Sequence, residues 1–131
     1  MPSSRLVQEP ATAEVLAFVA SSFRSAWAVE LLRLLRSQPD RIWTQAHLVS
    51  HLRASELVVR QSVQALTAVG LVAPREDGTV HYAAPPSLEP MLLAVERLYL
   101  TAPDTVRRVI VRGNSHSMTA FSRAFRLRSE D

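Results

Sequence analysis

The sequence contains no cysteine, no lysine and only three glycines. Without cysteine there is no disulfide framework and no thiolate metal site, which fits a reducing cytoplasm. Without lysine, all fifteen basic residues are arginine. Arginine is the better residue for bidentate contact with phosphate or guanine, and a genome rich in G and C produces the same bias. The glycines stand isolated at 70, 78 and 113, so there is no glycine-rich phosphate loop and tight turns are few. No uninterrupted apolar run approaches the roughly 18 residues of a membrane span, and Met1 to Pro10 lacks the apolar stretch of a signal peptide. The expectation is a soluble, cytoplasmic protein with no membrane partner.

The chain has 131 residues, 47% hydrophobic and 21% charged, which suits one globular domain with a sizeable core. A net charge of +3 permits nucleic-acid binding without demonstrating it. Residues 1–10 are polar and without period and read as a flexible tail. From Thr12, an expected N-cap, apolar residues run to Arg36 at helical intervals through Val15, Leu16, Val19, Phe23, Trp27, Leu31, Leu34 and Leu35. Ser21, Ser22 and Ser25 allow either one long helix or two meeting at an angle near Phe23.

Pro39 ends that run, and Arg41 to Thr44 is a short β-prone piece. Thr44 is placed to cap a helix over Gln45 to Leu52, with Ala46, Leu48, Val49 and Leu52 inward. Ser55 caps the next helix, with Glu56 in its first turn, an inward stripe of Val59, Ser62, Val63, Leu66 and Val69, and Gly70 as its stop. Leu71 to Ala73 and Thr79 to Ala83 read as strands joined by the Asp77-Gly78 turn signal. Beyond Pro85-Pro86 a helix is expected from Ser87 to about Leu100, another from Pro103 to Gly113, and a short one near Ser117 to Leu127.

The order from Ser25 to Ala83 is helix, short strand, helix, three-residue turn, helix, hairpin. It resembles the bacterial winged helix-turn-helix transcriptional regulators, above all the multiple-antibiotic-resistance-regulator (MarR) type. The residues that carry the resemblance are Trp43-Thr44 through Leu52, Ser55 through Leu66, and Gly70-Leu71-Val72. The expected fold class is therefore mainly α with a small β-hairpin: a winged helix-turn-helix core over residues 11–84 plus a C-terminal helical extension over 85–131. The resemblance implies that Ser55 to Val69 is a recognition helix entering the major groove of double-stranded DNA, with the hairpin as a wing. The C-terminal tail departs from the type, with three shorter helices in place of a long closing one.

On that helix the inward stripe leaves Val58, Arg60, Gln61 and Gln64 facing out. Arg can bond guanine O6 and N7, Gln can bond adenine N6 and N7, and an exposed Val58 would meet a thymine methyl. Phosphate contacts are expected from Gln45, Arg53, Ser55, Arg75 and Thr79. The rival reading is a winged helix that docks on another protein; Glu56, Glu76 and Asp77 favour it, and Arg60 is the only base on the helix. The stripes containing Leu92, Val95 and Tyr99, and Phe121 and Phe125, either pair two copies as a homodimer or wrap a monomer. Arg107, Arg108, Arg112, Arg123, Arg126 and Arg128 make a basic segment, read as a solvated face. His47 and His51 have a spacing that suits zinc and His81 could join them, but no carboxylate or Cys completes a set. Ser115-His116-Ser117 lacks the surroundings of a nucleophile. No metal, no cofactor and no catalysis are expected.

Overall fold

The structure is a computed structural model that describes residues 9–114. It is mainly helical, with one small antiparallel sheet. Helix α1 spans Thr12–Ser22 and α2 spans Ala26–Ser37. The serine-rich stretch resolves as two helices bent by 106°. Phe23 leaves α1 in an extended conformation, and Ser25 caps α2 by accepting the Ala28 N–H at 3.2 Å. Thr12 is not the cap of α1 but its first residue; Glu14 reaches back instead to accept the Ala11 N–H at 3.4 Å. No single described helix is long and apolar enough to cross a membrane.

Strand β1 is Ile42–Trp43, α3 is Gln45–Leu52, α4 is Glu56–Ala68, and β2 (Val72–Pro74) and β3 (Val80–Tyr82) form a hairpin. The expected hairpin is thus the larger part of a three-stranded sheet with β3 in the middle. Trp43 pairs with Val80, and Val72 with Tyr82. Pro74 is tolerated because β2 is an edge strand. A 3-10 turn at Pro86–Leu88 leads into α5, Glu89–Thr101, and Pro103 opens the last described helix, α6, over residues 103–114. Gly113 does not end α6: it lies inside the helix, where an added β-carbon would stand 3.0 Å from the Ala20 carbonyl oxygen. Its role is close approach to α1.

Helix α2 is the centre of the core. Ala28, Val29, Leu31, Leu32 and Leu35 are all buried, an arc of roughly 160° at 100° per residue. Helix α4 packs on α2 through Val59, Ser62 and Leu66. Helix α5 adds Leu92, Val95 and Tyr99, which are 0%, 0% and 6% exposed. Of the two alternatives for those residues, pairing two copies or wrapping a single chain, the burial matches the second: they lie in a core continuous with Leu31, Trp43 and Val106. Three smaller expectations also change. Val69 is exposed rather than part of the inner stripe of α4, Ala46 is exposed on α3, and Val58 is half-buried.

A polar junction crosses this core. Arg36, near the end of α2, pairs with Glu89 at 2.8 Å and with Glu96, both on α5. Tyr82 of β3 donates its hydroxyl to the same Glu89 carboxylate. Burial and the bond to Glu89 push the Tyr82 hydroxyl up to about 12. The Arg36 and Tyr82 bonds hold Glu89 below its ordinary value of 4.5. The charged Glu89 therefore stabilises the fold at neutral pH, and that contribution is lost as pH falls below about 4.5 through the depressed folded value. In urea unfolding, Glu89→Gln should flatten the acid limb of stability against pH. Arg36→Met, which strands two carboxylates, should cost about 2–3 kcal/mol, less than a fully buried pair because Glu89 is partly exposed.

Candidate nucleic-acid interface

The turn between α3 and α4 is held by side chains. Thr44 accepts the His47 N–H at 3.1 Å and Ser55 accepts the Val58 N–H at 3.1 Å, so each helix has its cap. Gln45 Nε2 donates to the Glu56 carbonyl at 3.1 Å, closing the corner. Arg53 sits between the helices in the left-handed conformation, φ 54°, alone among the described non-glycine residues. Of the expected phosphate contacts, Gln45 and Ser55 therefore have structural bonds of their own, while Arg53 is exposed.

At the hairpin tip, Gly78 N–H donates to Arg75 O at 3.0 Å and Arg75 N–H to Thr79 O at 2.7 Å. Gly78 has φ +87°, so the connection is a three-residue loop ending on a left-handed glycine rather than the two-residue Asp-Gly turn. Asp77 Oδ1 accepts both the Thr79 N–H at 3.0 Å and the Thr79 hydroxyl at 2.5 Å, and these bonds hold its carboxyl below the usual range. Thr79 is thereby committed to the turn; Arg75 is exposed beside it. Gly78→Ala should cost about 1–2 kcal/mol in thermal unfolding, because an L-residue is strained at that φ.

Arg60, Gln61 and Gln64 are exposed on α4, opposite its buried face, and among the described residues none of them has a hydrogen-bond partner. Gln61 and Gln64 also line an open groove of about 510 Å³ between α4 and the corner joining α1 to α2. The other wall brings Ser21, Ser22, Arg24, Ser25 and Trp27 beside them. The sequence reading did not single out Arg24; its only signal was an Arg among serines at a helix break. It also missed Leu57, which is 56% exposed at the start of α4. The exposed surface of α4 and the hairpin thus mixes Arg60, Arg53, Arg75 and the neighbouring Arg24 with Glu56, Glu76 and Asp77.

Among the described residues the histidines do not converge. His47 and His51 are exposed, and His51 stacks edge-on against the buried Trp43 ring at 5.1 Å. Arg41 covers the same indole at 3.8 Å. His81 lies in the sheet opposite Ile42 and Ala73. Among the described residues no three His, Asp or Glu side chains are grouped to hold a metal ion. Of the C-terminal arginines, Arg107, Arg108 and Arg112 are exposed on α6. Phe121, Phe125, Arg123, Arg126, Arg128 and Ser115-His116-Ser117 lie outside the described residues.

No family model matches the chain, and neither the characterised proteins nor the solved structures contain a significant match to it.

Proposed function

We propose that the chain is a winged helix-turn-helix transcriptional regulator that binds duplex DNA, with α3 and α4 as the helix-turn-helix and the β2–β3 hairpin as the wing. One observation carries the reading. Val59, Ser62 and Leu66 anchor α4 in the core while Arg60, Gln61 and Gln64 stand exposed, side chains suited to the edges of guanine and adenine. Arg53 and Arg75 would then meet phosphates from the turn and the wing, and Arg24 would add a third cation beyond α4. The protein acts by occupancy of a promoter, without chemistry of its own, in the cytoplasm of a bacterial cell. Pairing through Leu92, Val95 and Tyr99 is not part of the reading, because those side chains are buried within one chain.

A second reading, docking on a protein, has its own support. Leu57 is an exposed apolar residue beside Glu56 at the start of α4, and Glu76 and Asp77 put acid on the hairpin tip.

Fluorescence anisotropy with random-sequence duplex DNA at several salt concentrations separates the two. The DNA reading expects log K to fall with log salt at about −0.9 per phosphate contact, for roughly three contacts or more. Flat or absent binding at low salt would transfer the surface to a protein partner. Within the DNA reading, Arg60→Ala should weaken a selected complex by roughly 1–3 kcal/mol and relax one base position. Glu56→Gln, which removes a negative charge from the α4 N-terminus, should tighten binding to every sequence.

A further inference from the structure

The groove beside α4 lies where the described chain ends. Gly113 packs α6 against Ala20, and Asn114 Nδ2 donates to the Arg24 carbonyl at 2.8 Å. Arg24 itself lines the groove, so the described chain ends, at Asn114, beside its lip. The lining includes Trp27 at 38% and Val69 at 39% exposure, two large apolar side chains in one depression with Val58, Ala65 and Ala68. Converging apolar exposure of this kind marks an interaction site rather than scattered surface residues. Ser62, alone among the described residues as a buried polar side chain, also lines the groove.

The 17 residues that follow, Ser115 to Asp131, carry Met118, Phe121 and Phe125 at intervals of three and four. Those are the intervals at which a helix lines up side chains on one face. Phe121 comes seven positions after Asn114, about 10 Å along a helix, so the segment needs no linker to reach the groove. We propose that residues 115–131 of the same chain seat Met118, Phe121 and Phe125 in the groove between the α1–α2 corner and α4, covering Trp27 and Val69. A seated segment would also lie over Gln61 and Gln64. It would therefore oppose DNA binding, a consequence that rests on the reading above, whereas the seating itself does not.

Acrylamide quenching of tryptophan emission in the full chain tests the seating without DNA. Trp43 is fully buried, so the change reports Trp27, and a Trp27→Phe chain supplies the Trp43 background. Phe121→Asp with Phe125→Asp should raise the Trp27 quenching constant about twofold as the indole loses its cover. An unchanged constant in the folded variant overturns the proposal. A second measurement leaves the aromatic residues in place. Because the chain has no cysteine, Ala68→Cys with Ser122→Cys gives a unique pair for a short bis-maleimide. An intramolecular cross-link supports the seating. No cross-link, or one that joins two copies, overturns it.

Discussion

Everything in this fold is placed by the burial of α2. A helix that hides roughly 160° of its circumference must have neighbours on more than one side. Helix α4 covers one of them, and the sheet also contacts α2. Leu92, Val95 and Tyr99 of α5 join the same core, and Tyr99 donates its hydroxyl to Glu30 of α2 at 2.7 Å. Because α4 is pinned on its inner face, its outer residues have a fixed orientation. The proposed recognition surface is thus a by-product of core packing, with rigidity supplied from beneath.

The Arg36 junction works on the same geometry by other means. Apolar packing is tolerant of sliding, whereas a guanidinium shared between Glu89 and Glu96 is directional. Tyr82 joins through Glu89, so helix α2, helix α5 and strand β3 meet at one set of hydrogen bonds. The sheet is thereby tied to α5 as well as to α4.

Most of the element order was legible from the sequence because its punctuation is local. Thr44, Ser55 and Pro103 begin helices where their chemistry requires, and Gly70 supplies the left-handed residue after α4 with φ +80°. What could not be read was tertiary. The face of α5 looked unpartnered because its partners lie far away in sequence, and periodicity shows that a stripe is buried, not by what. Gly113 looked like a helix stop, since nothing local announces a helix crossing at Ala20. The exposed residues of α4 and its C-cap followed directly from the 3.6-residue period, apart from Leu57, Val69 and the half-buried Val58. Arg24 was invisible because the groove that gives it company is built from separate segments.

The left-handed Arg53 sets two demands against each other. Glycine would occupy that backbone conformation at about 1–2 kcal/mol less strain. The chain keeps a long cation there instead, exposed at the turn between α3 and α4. An engineer seeking a hardier protein would choose position 53 first and would, in the same step, strip a positive charge from the surface on which the DNA reading depends.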